Sequence, residues 1–240
     1  MTAHLSREQQ QFNVAMDKYE KIYGYQLTGH VVSFVNTTLQ AVLAVLAFQQ
    51  SIGPLKHVLT FAAAYVLADF INGLVHMYMD NNSDYESLAG PLVASFHLHH
   101  KTPRYKQKPA VVVYYHESGS KIWLAFFLSL AVAGVWQGVI SGVAAYGALY
   151  FSILSSIAEV SHYFCHSPQP KIVRFLGKAR ILLPIRHHMR HHFEDNINYA
   201  FLNGMTDPFL NVISKAMCRG YKNTTDLHYA MYTGVGTSNR

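Results

Sequence analysis

Four stretches of this 240-residue chain are long and apolar enough to cross a bilayer, and nothing else in the sequence restricts the fold as much. Crossing the hydrocarbon core takes about 20 mostly apolar residues. Residues 31–49, 58–79, 122–140 and 142–163 meet that requirement. Half of the chain is hydrophobic and only 13% is charged, which fits an all-α integral membrane protein of four transmembrane helices. The third and fourth stretches almost touch, so they are expected to pair as a tight antiparallel hairpin. No linker composition divides the chain, so one membrane domain over 31–220 is expected. An N-terminal interfacial segment over 1–30 and a polar, fraying tail over 221–240 should flank it. In the first segment Phe12, Met16, Tyr19 and Tyr23 recur at helical spacing behind a Ser6/Gln9 capping box, and this helix is expected to lie along the membrane interface. The polar opening "MTAHLSREQQQ" lacks the basic and apolar regions of a signal peptide.

The placement of the cations tests this topology. With a cytoplasmic N-terminus, residues 1–30, 80–121 and those beyond 163 share one side and carry eighteen Lys or Arg, leaving only Lys56 for the other. That bias accounts for the net charge of +6 and calls for no nucleic acid. The histidine clusters should then lie on the cytoplasmic side, of the inner membrane in a bacterium or of the endoplasmic reticulum in a eukaryote. Lys101, Arg104, Lys106 and Lys108 read as a plain positive-inside loop; a phosphate headgroup or an acidic electron donor is the alternative. Cys165 and Cys218 form no spacing pattern that suggests a disulfide framework or a thiolate zinc site.

Fifteen histidines outnumber thirteen acids, and they cluster. In "RHHMRHHFEDN", residues 186–196, a helical turn of 100° per residue puts His187, His188, His191 and His192 within an arc of about 140°. His76 and Asp80 stand one turn apart at the end of the second span, with Asp69 and Asn72 on the same stripe. His162 and His166 repeat the arrangement at the end of the fourth, with Ser155 and Glu159 reaching inward. The loop between carries His97, His99 and His100 in "FHLHHKTP". Each cluster alone has a plain structural reading as interfacial or solvated histidine. All of them, however, arrive at one membrane face, and ionisable groups at membrane depth mark function by default. His4, His30, His57, His116 and His228 stand alone. The clustered histidines are too many for one zinc, which is satisfied by about four ligands. Imidazole also suits iron, and two six-coordinate irons use about this number while leaving positions for oxygen. Asp69, Asp80, Glu159, Glu194 and Asp195 are candidates to orient the imidazoles or to supply one carboxylate.

"ADFINGLVHMYMDN", "FHLHHKTP", "HYFCH" and "ILLPIRHHMRHH", in this order, resemble the lipid desaturase-domain or Kua-type family, which includes plasmanylethanolamine desaturases. The resemblance runs over roughly residues 60–215 and takes in "INYAFLNGMTDPFLNVIS". It implies an iron- and oxygen-dependent oxidoreductase that removes two hydrogens from the alkyl or acyl chain of an intact phospholipid. By motif, the metal ligands it implies are His76, His99, His100, His162, His166, His187, His188, His191 and His192, with Asp80 close by; Asp80 and Glu159 are the candidate catalytic carboxylates. The implied partners are a phospholipid substrate such as plasmanylethanolamine and an electron donor of b-type cytochrome or ferredoxin-like kind. The chain departs from the pattern in two places. Met77 follows the first motif histidine where Trp is usual, and the stretch "KPAVVVYYHES" lacks a further His–Asp–Phe, so His116 either fills that role from a shifted position or the role is missing.

Two other functions use the same residues. A hydroxylase would differ only in returning oxygen to the carbon. A metal transporter would place its site near the bilayer midplane on broken helices, whereas these spans contain no internal Pro.

Overall fold

The computed structural model describes residues 6–23, 25–103, 105, 107–222, 224–227 and 232. His4, His228, Arg104 and Lys106 therefore lie outside the described residues. The fold is all-helical, and no strand occurs among those residues.

Among the described residues, three helices are long and apolar enough to span a membrane: α2 (Leu27–Phe48), α3 (Pro54–Asn81) and α7 (Val143–Tyr163). Pro54 opens α3 where its missing N–H costs nothing. At 1.5 Å per residue its 28 residues measure about 42 Å, longer than the roughly 30 Å core. About 12 Å of it therefore extends beyond that core, and His76 and Asp80 sit in its last turns. α7 packs against both α2 and α3 through small residues such as Ala145 and Ala158, with Leu43, Leu149 and Leu154 filling the core between them.

The third expected span is not a straight crossing. α6 (Ile122–Trp136) has 15 residues, about 22 Å, too short to span alone. It is joined at 91° to α5 (Ala110–Glu117) and a 3-10 turn, Ser118–Ser120, and only the bent pair is long enough to cross. A break at this depth is tolerated because the protein itself bonds the freed backbone. Asn36 Nδ2 donates to the carbonyls of Ser118 and Lys121, at 3.0 and 3.1 Å. Gln40 reaches the Ser152 carbonyl and accepts from Tyr114, and Ser118 Oγ meets Ser156 Oγ. Glycine is required at 119, where a Cβ would stand 2.5 Å from the Gly29 carbonyl oxygen of α2. Lys121, which the sequence places among loop cations, is consequently buried. The hairpin to α7 forms as expected, through a turn with positive φ at Gly138 and Gly142.

α1 (Arg7–Ile22) starts at Ser6, whose hydroxyl accepts from the Gln9 N–H. Its apolar stripe is used inside the protein instead of on lipid: Phe12 and Met16 are buried against Tyr85 and against Val93, Ala94 and Leu98 of α4 (Gly90–Lys101). Beyond α7 come α8 (Lys171–Lys178), α9 (Ile185–Phe193) and α10 (Asp207–Met217). Asp69 of α3 holds the turn before α10 by accepting from the N–H groups of Leu202, Asn203, Gly204 and Thr206 and from the Thr206 hydroxyl. The polar tail starts later than residue 221. Tyr221 is fully buried and Thr225 Oγ1 donates to the Asp80 carbonyl at 2.6 Å.

Candidate metal centre

Four helix segments converge at the C-terminal ends of α3 and α7. α3 brings His76 and Asp80, α4 brings His99 and His100, the end of α7 brings His162 and His166, and α9 brings His188, His191 and His192. α9 is set in place by the residue before its Pro184 cap: the Leu183 N–H donates to Ser161 Oγ, next to His162, and Ser161 Oγ donates to the Leu202 carbonyl.

These side chains form two groups. His99, His162, His166 and His188 bring one nitrogen each to within 4.8 Å of one another; His76, Asp80, His100 and His191 do the same with three nitrogens and an oxygen. His192 borders the first group. Nε2 of His188 lies 3.1, 2.8 and 3.0 Å from Nε2 of His162, His166 and His192. A neutral imidazole nitrogen carries one proton or one lone pair, so it cannot satisfy three such neighbours by hydrogen bonding. A cation can, because two imidazoles held at right angles about 2.1 Å from one ion stand about 3.0 Å apart.

In the second group Asp80 lies 3.1 and 3.3 Å from Nε2 of His76 and His191, and 3.4 Å from that of His100. These approaches are ion-pair distances without hydrogen-bond alignment: both Asp80 oxygens, His76 Nε2 and His99 Nε2 are buried with no hydrogen-bond partner. Buried polar atoms are otherwise nearly always satisfied. Orphaned donors and acceptors converging from α3 and α4 fit a bound metal ion.

Five of the outward nitrogens are fixed, as ligand imidazoles require, whereas His188 Nδ1 is buried without a partner. Nδ1 of His76 meets the Tyr199 carbonyl at 2.8 Å, that of His100 meets Asp226 at 2.6 Å, and that of His191 meets the Ile197 carbonyl at 2.9 Å. His162 Nδ1 lies 2.9 Å from the Tyr105 hydroxyl, and His192 Nδ1 lies 3.2 Å from the His100 carbonyl. Each contact turns Nε2 toward the centre.

Electrostatics follow from burial. Desolvation, reinforced by neighbouring imidazoles, lowers His166 to about 4, His191 to about 3 and His192 to about 2, and holds His99 and His188 well below the ordinary value. These rings are neutral near pH 7, as ligation requires. Burial also opposes charge on His100, but the Asp80 and Asp226 carboxylates outweigh it and raise that ring to about 9.

The structure leaves His187 outside both groups. Its Nε2 lies 2.6 Å from Asp207 Oδ2, and its carbonyl accepts from Asn198, so it braces α9 against the start of α10. His97 is occupied at both nitrogens, by the Tyr85 hydroxyl and the Met79 carbonyl. Among the acids, only Asp80 enters a group. Asp69 holds its turn, Glu194 pairs with Arg190, and Asp195 accepts from the N–H groups of Tyr221 and Lys222. Glu159 forms an ion pair with Lys121 at 2.9 Å, one helical turn before His162. His116 lies 3.1 Å from Lys108 Nζ, edge-on to Tyr25. Sequence reading missed Asp226, Tyr105 and Tyr199. Asp226 stood in a segment read as tail, and a tyrosine in a loop carries no signal of its own.

A cavity of about 220 Å³ reaches the first group, touching His99 and His162. Leu92, Phe96, Phe201, Tyr19, Tyr25 and Glu117 also line it.

Fold and site together define an all-helical membrane protein with a buried, histidine-rich centre of two adjoining ligand groups and a cavity leading to it. The chain belongs to the lipid desaturase domain family, whose model matches residues 65–216. No curated protein and no solved structure matches the chain.

Proposed function

We propose that this protein is an iron- and oxygen-dependent desaturase that introduces a double bond next to the glycerol linkage of a membrane phospholipid, with plasmanylethanolamine as the preferred substrate. Family membership supports a lipid desaturase. The single observation that carries the metal reading is the pair of four-ligand groups lying side by side, His99/His162/His166/His188 and His76/Asp80/His100/His191. We assign one iron to each, with His192 completing the first, and give His187 a bracing role.

An unactivated methylene offers no proton that a side-chain base could remove; bound iron supplies the oxygen-dependent removal of hydrogen. The balance is one lipid –CH2–CH2–, one O2, two electrons and two protons giving –CH=CH– and two waters. A one-electron carrier of b-type cytochrome or ferredoxin-like kind provides the electrons. The chain's own residues orient the imidazoles and hold all but His100 of those with a resolved shift neutral, exclude bulk water with Phe96 and Phe201, and place the substrate. Phe201 stacks on His162 at 4.0 Å and stands 4.3 Å from His76, so it forms the wall between lipid and ligands.

Depth supports attack near the headgroup. Counted from Pro54, the roughly 30 Å core ends about at Gly73, and His76 lies about 5 Å beyond. A site at that level meets the first carbons of a chain more readily than its middle. The cavity lining also offers Tyr19, Tyr23 and Tyr25 with Glu20 and Glu117, and Lys108 lies 5.2 Å over the Tyr25 ring. Aromatic faces with carboxylates suit an ammonium headgroup, and Lys108 suits its phosphate. The bias of basic residues supports a site on the cytoplasmic side.

The test is the lipid profile of cells with and without the chain, grown in air. Loss of two hydrogens from ether phospholipids is expected; a gain of one oxygen would show a hydroxylase instead.

A further inference from the structure

Lys121 is a cation where the fold does not need one. It is 4% exposed and immediately precedes the first turn of α6, so the positive end of that helix's dipole works against it. Its ammonium donates to Asn72 Oδ1 of α3 and pairs with Glu159 of α7. Apolar residues could tie three helices together without the desolvation that a buried ion pair requires. An ionisable pair kept at membrane depth points instead to a ligand.

The pair lies at the junction of two cavities. Lys121, Asn72, Ser120 and Glu159 line a small one that also reaches His76; Glu159, Ser120, Phe96 and Phe201 line the larger one as well, which reaches His99 and His162. Whatever occupies the junction is next to both ligand groups. An ammonium has three donors, and Asn72 and Glu159 take two of them.

Charge and depth indicate what the third donor meets. Glu159 neutralises the ammonium, so the site offers a donor with little net charge, which suits an uncharged acceptor oxygen better than a phosphate. Along α3, Asn72 lies about 6 Å deeper than His76, and along α7, Glu159 lies about 4.5 Å deeper than His162. Both stand one helical turn on the hydrocarbon side of the ligand groups, closer to the interfacial level of a phospholipid's linkage oxygens than to that of its phosphate. We propose that Lys121, held by Glu159 and Asn72, binds the ether or ester oxygen joining the chain to glycerol, and so fixes which carbons face the ligand groups. This rests on the reading that the cavity takes a phospholipid chain.

The test is binding without turnover. The purified full chain is kept free of oxygen and offered an ether phospholipid in competition with an analogue whose linkage oxygen is replaced by methylene, with bound lipid read by native mass spectrometry. The wild type should prefer the ether lipid about tenfold, the ratio one hydrogen bond to a charged group supplies. Lys121→Met with Glu159→Gln leaves no unpaired charge and should bind the two lipids equally; Lys121→Gln with Glu159→Gln keeps a donor and should retain part of the preference. Equal binding of both lipids by the wild type overturns the proposal even if the variants fail to fold, and so does a full preference in the Met variant. The preference is read without chemistry, so a hydroxylated product would defeat the desaturase reading alone, whereas equal binding beside intact desaturation would defeat this inference alone.

Discussion

His100 Nδ1 lies 2.6 Å from Asp226 Oδ1, a contact that joins residues 126 positions apart and places a carboxylate directly behind a candidate ligand. Lys222 holds the other oxygen of Asp226 at 2.8 Å, so the carboxylate is fixed from both sides. Asp226→Asn should weaken metal binding about 10- to 100-fold, the usual cost of losing a partner that orients a ligand imidazole. Chelator competition on purified protein measures it. Unchanged affinity would mean that His100 is positioned by other contacts.

His187 and His188 are neighbours in sequence with opposite placements. His188 Nε2 sits among three other imidazole nitrogens, while His187 Nε2 rests on Asp207. His188→Ala or His192→Ala should abolish iron loading and lipid turnover while membrane insertion persists. His187→Ala should keep the metal and cost about 1–3 kcal/mol of stability, because Asp207 loses a buried partner. Metal analysis beside thermal unfolding separates the two outcomes, and metal loss in His187→Ala would return that residue to the ligand set.

Asp69 accepts five hydrogen bonds from the turn that carries Phe201 and leads into α10. Asp69→Ala leaves those donors buried without an acceptor, and should cost at least about 3 kcal/mol. A marked drop in unfolding temperature in detergent is the expected result.

The metal-depleted protein should be least stable at both pH extremes. The rings of His99, His166, His188, His191 and His192 are held below the ordinary histidine value by burial and by one another. Their contribution is complete above about 6.5, where the unfolded chain is also neutral, and is lost as pH falls through about 4, 3 and 2. His100 acts in the opposite sense: raised to about 9, it contributes fully below 6.5 and loses that contribution as pH rises through 9. Unfolding temperature against pH should therefore peak between these limits. A monotonic rise to pH 10 would contradict the role given to Asp80 and Asp226.

Spans and the main histidine pairs were legible in the sequence because their signals are local: apolar length, and the i, i+4 spacing of His76 with Asp80 or His162 with His166. The bent third span was not. Its apolar run reads as continuous, and the break depends on Asn36 and Gln40 from a different helix. Lys121 misled for the same reason, since a cation next to an apolar block counts as a topological charge until Glu159 and Asn72 are seen around it. Nor could spacing separate His187 from His188, because 140° of helix surface is wide enough to serve both a metal group and Asp207. The stripe through Phe12 and Met16 shows the limit of amphipathicity, which finds an apolar face without saying whether lipid or α4 covers it.

The proposed function requires two adjoining groups of buried ligands, each holding one iron. Elemental analysis of the purified full-length protein tests this most directly: about two irons per chain are predicted, falling to near zero in His188→Ala. One stoichiometric zinc per chain, with no iron, would contradict it.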